Sequence, residues 1–266
     1  MTDRVSISIE NHIADVRFTR GDKMNALDPA MFQAIISAGN QLAQTKGVRA
    51  VVLSGEGRSF CAGLDMASMA ALGGNASGGT GATLLDRTHG NANDFQHVCM
   101  VWRKLPMPVI AAVHGVCFGG GLQIISGADI RVVAPDARMS IMEMKWGIIP
   151  DMGGYAVWRG YVRDDVLREL TYTNREFSGE EAQALGFATY VDAHPHARAM
   201  AIAGEIASRN PDAMRIAKDL FNRAPDMDED AILMAESAEQ MKLMRTPNQV
   251  EAVTAAMQKR AANFAD

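Results

Sequence analysis

Cysteine is scarce: the 266 residues hold three, Cys61, Cys99 and Cys117, with no C-x-x-C pair among them. An odd, widely spaced set excludes a disulfide framework and a cysteine-based zinc or redox motif, so all three read as reduced packing residues. Long apolar runs are also lacking. None reaches the roughly 18–20 residues of a membrane-spanning helix, and the opening Met1-Thr-Asp-Arg-Val5 carries no apolar run of the signal-peptide kind. The expectation is a cytoplasmic protein without a membrane partner. Basic clusters are missing too: 26 Lys and Arg stand against 31 Asp and Glu, a net charge of −5, which argues against nucleic acid as the main partner. A small anionic ligand stays open, because it needs only a few local cations and free backbone N–H groups. Nucleotide loops are absent. No Gly-Lys-Ser/Thr occurs, and Gly55-x-Gly57 meets Phe60 where a dinucleotide loop needs glycine. His89, His97, His114, His194 and His196 lack the spacing of zinc ligands, so no metal is expected.

What is present describes a folded domain. Apolar residues make up 48% and charged ones 21%, a balance that disordered and coiled-coil chains do not show. Val5–Ile9 and Ile13–Phe18 alternate apolar with polar residues around Asn11-His12, the pattern of a hairpin. Asp28-Pro29 opens a helix through Leu42, and a second helix is expected near Asn93–Lys104. Arg49–Leu53, Val109–His114 and Ile130–Ala134 are short β-branched runs of the buried parallel-strand kind. Strands alternating with helices predict an α/β core with right-handed crossovers. From about Gly153 the pattern turns helical, with a capping box at Ser178–Glu181 and helical periods over 196–208, 211–222, 229–245 and 248–262. We therefore divide the chain into an α/β core, residues 1–195, and a C-terminal helical region, residues 196–266. The glycine-rich stretch Gly73–Gly81 is expected to form a mobile loop beside the site.

Two buried strands empty into glycine loops, Ser54–Asp65 and His114–Gln123. Ligands of α/β sheets bind outside the carboxyl ends of the strands. Two backbone N–H donors brought together from separate loops would suit an oxyanion; tight turns alone would account for the glycines equally well.

Four ordered segments then carry a resemblance: Asp22–Leu27, Phe60–Asp65, His114–Gly121 and Lys145–Gly154. Together they resemble the crotonase (enoyl-CoA hydratase/isomerase) superfamily over nearly the whole chain, nearest in motif to its dienoyl-CoA isomerase branch. The resemblance implies a ββα spiral core with a C-terminal helical trimerisation region. It implies an acyl-CoA thioester as ligand, no cofactor beyond the coenzyme A of the substrate, and a homotrimer or hexamer. It places the thioester oxygen on the backbone N–H groups of Leu64 and Gly120. It further implies coenzyme A contacts around Lys23, Ala26, Ala62, Asp65 and, from a neighbouring subunit, Lys259.

Family hydratases use two glutamates across the substrate double bond. The second is matched by Glu143; the first position holds Gln123. A carboxamide does not exchange protons near neutral pH, so a two-carboxylate hydration loses an agent. Asp151, after Pro150, matches an aspartate that works as a base in dienoyl-CoA isomerases. The expected activity is therefore double-bond isomerisation of an unsaturated acyl-CoA. The alternatives are a 2-enoyl-CoA hydratase and a non-catalytic CoA-ester binding protein. Each residue also has a plainer reading: Asp151 as a helix N-cap, Glu143 on a solvated helix face, Gln123 as a structural hydrogen-bond donor. Met24, Met66, Met69, Met139, Met142, Met144 and Met152 crowd these segments, which suggests a pliable acyl pocket or ordinary core filling.

Overall fold

A computed structural model describes residues 4–71 and 83–266. The Gly73–Gly81 stretch lies outside the described residues. The hairpin forms as its sequence predicts: β1 (Val5–Glu10) and β2 (Ile13–Phe18) pair antiparallel, and Asn11 and His12 turn between them at φ +50° and +66°. Next comes α1 (Pro29–Gln44), whose N-cap Asp28 accepts the N–H of Met31 at 2.8 Å. The chain continues through β3 (Ala50–Gly55), α2 (Met66–Ala71) and α3 (Asp94–Lys104), the last closed by a reciprocal Asn93–Gln96 capping box. Then follow β4 (Val109–Val113), β5 (Val116–Phe118), α4 (Gly120–Ser126), β6 (Ile130–Val133) and β7 (Arg138–Ser140).

Two short helices, α5 (Gly154–Trp158) and α6 (Asp164–Thr173), lead to β8 (Phe177–Ser178), α7 (Gly179–Ala184) and β9 (Tyr190–Val191). The tail is helical: α8 (Pro195–Ala207), α9 (Pro211–Arg223), α10 (Glu229–Leu243) and α11 (Pro247–Met257). The last helix stops at Met257, short of the 262 expected from its period. Lys259 takes a left-handed φ of +53°, and the chain beyond it leaves the helix axis.

The main sheet runs β1-β2-β3-β4-β6-β9, and every pair but the first is parallel. Its central strands β3, β4 and β6 are buried on both faces, which is why they read as continuous apolar runs. Successive side chains alternate between two cores. Val51, Leu53, Val109, Ala111 and Val113 face α1, α3 and α4, while Ala50, Val52, Ile110 and Ala112 face Ala199, Ile202 and Ala203 of α8. The first of the C-terminal helices is thus a layer of the folded core.

Behind it, Lys218 of α9 is buried and donates to the carbonyls of Trp102 and Met107 at 3.1 and 2.9 Å, with Asp129 at 2.7 Å. Those bonds satisfy a charge that would be costly to bury alone.

A second sheet, β5-β7-β8, stands at the carboxyl ends of the main strands. Its strands are two or three residues long, too short to leave a period in the sequence. Motif residues extend it through isolated bridges, Cys61 to Cys117 and Leu27 to Leu64.

Candidate active site

The first three sequence segments converge because their backbones hydrogen-bond to one another. Ala62 N–H donates to Met24 C=O at 2.9 Å, Leu27 N–H to Gly63 C=O at 2.8 Å and Asp65 N–H to Leu27 C=O at 3.0 Å. Buried Asn25 secures the first segment, its Nδ2 donating to Glu56 and Ser59 carbonyls at 3.0 and 2.9 Å. Cys61 N–H donates to Val116 C=O, Phe118 N–H to Cys61 C=O and Gly119 N–H to Ser140 C=O. The second and third segments and β7 are thereby stitched into one layer, and the fourth segment is tied to it where Met152 and Gly154 N–H donate to the Gln123 carboxamide.

Close approach at the centre of this layer requires glycine. Gly63 sits at φ +86°, and a Cβ there would stand 2.8 Å from Phe118 O and 3.7 Å from Gly120 N. A Cβ on Gly120 would meet Leu27 Cδ1 at 2.7 Å. No acceptor among the described residues takes the N–H of Leu64 or of Gly120. Both belong to residues that line one cleft of about 1380 Å³. Free N–H donors at the wall of a partly apolar cleft are what an oxyanion site needs.

The carboxylates lie on the same cleft. Glu143 begins a 3-10 turn, Glu143–Trp146, directly after β7 and is 6% exposed, so the solvated-face reading fails. Its Oε1 accepts Gln123 Nε2–H at 2.6 Å, and its Oε2 is buried with no hydrogen-bond partner among the described residues. Burial pushes the Glu143 carboxyl above its ordinary value and the nearby Asp151 charge adds to this; its own backbone N–H and the Gln123 amide pull the other way. Burial likewise raises Asp151. Asp151 caps no helix, because α5 starts at Gly154 behind the left-handed Gly153 at φ +97°.

Gln123 spends its carbonyl on two backbone donors, Met152 N–H at 2.8 Å and Gly154 N–H at 3.1 Å. Both of that oxygen's acceptor positions are therefore filled.

The remaining predicted residues divide. Lys23, Ala26, Ala62 and Asp65 line the cleft; Lys259 does not, being exposed after α11. Asp65 holds the N–H groups of Ala67 and Ser68 at 3.0 and 3.3 Å and pairs with Arg20 at 2.9 Å, so its carboxylate is already engaged. Sequence reading missed the cations Arg20, Arg58, Arg138 and Lys145 of the lining, of which Arg20 pairs with Asp65 and Arg138 with Glu176. Arg58 had a signal, standing two residues before the Phe60–Asp65 segment. Among the methionines, Met24, Met66, Met142 and Met152 line the cleft, Met139 is buried in the core and Met144 is exposed; the side chain of Met69 lies outside those described.

The three cysteines are free and buried, with burial raising Cys61 and Cys99 to about 12 and Cys117 well above its ordinary value. Such thiols are poor nucleophiles. His89 and His97 stack at 4.0 Å, and among the described residues no cluster of three or more metal-ligating side chains occurs.

The family model for enoyl-CoA hydratase/isomerase matches residues 8–266. The chain is 31% identical to the mitochondrial Delta(3,5)-Delta(2,4)-dienoyl-CoA isomerase of Mus musculus over 260 residues, 95% of this chain and 79% of that one. It is 30% identical to a probable enoyl-CoA hydratase of Bacillus subtilis (strain 168), covering 79% of this chain and 78% of the relative. Its fold superposes on a crystal structure of enoyl-CoA hydratase from Bacillus anthracis with a TM-score of 0.87, 26% identity and 98% of each chain covered.

Proposed function

The chain belongs to the enoyl-CoA hydratase/isomerase family, and from that premise we propose that it moves double bonds within an unsaturated acyl-CoA, a 3,5-dienoyl- or 3-enoyl-CoA. The observation that carries this reading is the filled carboxamide of Gln123. An amide oxygen already holding two backbone N–H groups has no acceptor left for a nucleophilic water, whereas the cleft has a second carboxylate in Asp151.

The step balances with these residues and proton exchange with solvent. Ionised Asp151 takes a proton from the α-carbon C2, acidic because it lies between the thioester carbonyl and the C3=C4 double bond, so that the charge spreads as far as C6 of a 3,5-diene or C4 of a 3-ene. The C–H electron pair moves through the conjugated system to the thioester oxygen, where the N–H groups of Leu64 and Gly120 hold the dienolate charge. Protonated Glu143 returns a proton to another carbon, and the double bonds are displaced with no change in composition. Asp151 is left protonated and Glu143 ionised; a proton exchanged through solvent restores both. The raised carboxyl of buried Glu143 suits a group that must give up a proton near neutral pH.

The coenzyme A portion of the substrate runs along Lys23, Ala26, Ala62 and Asp65, with Asp65 contributing backbone and Arg58 a further cation for phosphate. Lys259 reaches a cleft only from another copy. α9, α10 and α11 expose Phe221, Leu233, Met234, Met241 and Met257, an apolar surface that supports assembly into a homotrimer or hexamer. Light scattering on the eluted protein is expected to give three or six times the 28.7 kDa chain mass; a monomer would overturn the assembly and the Lys259 contact together.

Turnover in deuterium oxide tests the chemistry. We expect 3,5-dienoyl-CoA to give a conjugated isomer carrying deuterium without added water, and Asp151→Asn to lose roughly 10²–10⁴-fold in kcat. Full activity of Asp151→Asn would sink the two-carboxylate shuttle. A 3-hydroxyacyl-CoA product from 2-enoyl-CoA would establish hydration instead, and tight CoA-ester binding without turnover would establish a binding protein.

A further inference from the structure

Gln123 is 1% exposed, and its one amide bonds to Glu143 on one side and to the backbone that follows Asp151 on the other. Its Nε2 donates to Glu143 Oε1 at 2.6 Å; its Oε1 accepts from Met152 and Gly154, which follow Asp151 in the same turn. The orientation of the amide is set by this network. Two backbone N–H groups demand an oxygen on one side, so the NH2 group must face Glu143. A carboxylate oxygen engaged by a short N–H bond is not free to present a proton to substrate. The other oxygen, Oε2, is buried and has no hydrogen-bond partner among the described residues.

We propose that Gln123 is a positioning residue that makes Glu143 a one-oxygen acid, directing its exchangeable proton to Oε2 while the same amide holds the Asp151 turn in register. The direction of proton transfer rests on the isomerase reading above; the clamp itself does not.

An amide is suited to this place and a carboxylate is not. Glutamate at 123 would keep the acceptor for Met152 and Gly154 N–H, but its second oxygen would face Glu143 Oε1 at the same short distance. Two carboxylates so close cannot both ionise, and the shared proton would sit between them instead of on Oε2. The titratable groups facing Glu143 are Asp151, from the turn before α5, and Tyr155 of α5, whose phenol is raised by burial and by the Glu143 charge.

The test uses the full-length chain as wild type, Gln123→Met and Gln123→Glu, each checked for folding by near-ultraviolet circular dichroism. The Glu143 carboxyl is titrated by carbon-13 NMR, assigned with Glu143→Gln. We expect it to titrate at higher pH in both variants: the methionine removes a donor that favours the ionised form, and the glutamate adds a like charge. With 3,5-dienoyl-CoA, kcat of Gln123→Met should fall roughly 10–100-fold with KM within about twofold, and the limb of the pH profile belonging to Glu143 should move upward with the titration. If the methionine variant does not fold, Gln123→Glu, which keeps both backbone contacts, carries the test. An unchanged Glu143 titration in a folded variant, or an unchanged pH profile and kcat, overturns the proposal. A shifted titration in a protein that hydrates and does not isomerise leaves the clamp standing and removes only the isomerase reading.

Discussion

Glu143→Gln should abolish most turnover while leaving the protein better folded. The glutamine amide can turn its oxygen toward Gln123 Nε2, so the 2.6 Å hydrogen bond has a replacement and the cleft keeps its shape. What disappears is the exchangeable proton. Loss of a positioned acid is worth roughly 10²–10⁴-fold in kcat, about 3–5 kcal/mol of barrier, with KM little changed. Stability moves the other way. The Glu143 carboxyl titrates higher in the folded chain than in the unfolded one, with burial the leading cause. Between those two values the unfolded state gives up the proton first, so ionisation favours unfolding as pH rises through that window. The neutral variant escapes this cost. Its thermal midpoint at neutral pH should therefore exceed that of wild type, and the gap should close below the ordinary carboxylate range. A variant that keeps wild-type kcat removes Glu143 from the chemistry; one that melts lower at neutral pH shows that the buried charge is stabilised by more than the contacts named here.

Gly115→Ala should be strongly destabilising for a single added methyl group. Gly115 joins β4 to β5 at φ +61°, and a Cβ there would stand 2.0 Å from Arg58 O and 3.0 Å from Arg58 C. Backbone meets backbone, so no side chain can swing aside. Overpacking of this kind costs about 1–3 kcal/mol, and the left-handed conformation adds about 1–2 kcal/mol for a residue with a Cβ. For a chain of this size that corresponds to a fall in Tm of roughly 4–10 °C. Function should suffer beyond stability, because Phe60 N–H donates to His114 C=O beside the clash and Phe60 leads directly to Leu64. Relieving the contact by moving residues 58–60 displaces one N–H donor of the proposed oxyanion site. Differential scanning calorimetry and kcat at a temperature where the variant is folded separate the two effects. A fall of less than about 2 °C would mean that the loop yields and that glycine is not required there.

The parts of this fold readable from sequence are those whose physics is local. Asp28-Pro29, Asn93 with Gln96 and Ser178 with Glu181 specify helix starts because each cap bonds to N–H groups two or three residues away. The β3 and β4 runs announce doubly buried strands because both faces need apolar side chains. The short strands β5, β7, β8 and β9 left no trace. Their pairing is decided by which distant segments meet. The end of α11 was misplaced for a related reason: its apolar period continues past Met257, while Phe264 and Asp266 are drawn away to Arg49, whose Nη2 and Nε reach Phe264 O and Asp266 Oδ1 at 2.9 and 2.8 Å.

The candidate site divides along the same line. The four segments, the family they resemble and the glutamine standing at position 123 are all present in the order of residues, because each is a matter of residue type and spacing. Sequence could not say whether Asp151 caps a helix or faces a cleft, nor whether Gln123 is free to hold water. Those are questions of where a carboxylate or an amide finds its partners, and the partners lie 20 to 31 residues away along the chain. Burial set the protonation behaviour of Glu143, and three hydrogen bonds set the orientation of the amide beside it. Neither exists until α4, the turn after β7 and the start of α5 are packed together, which only the tertiary structure decides.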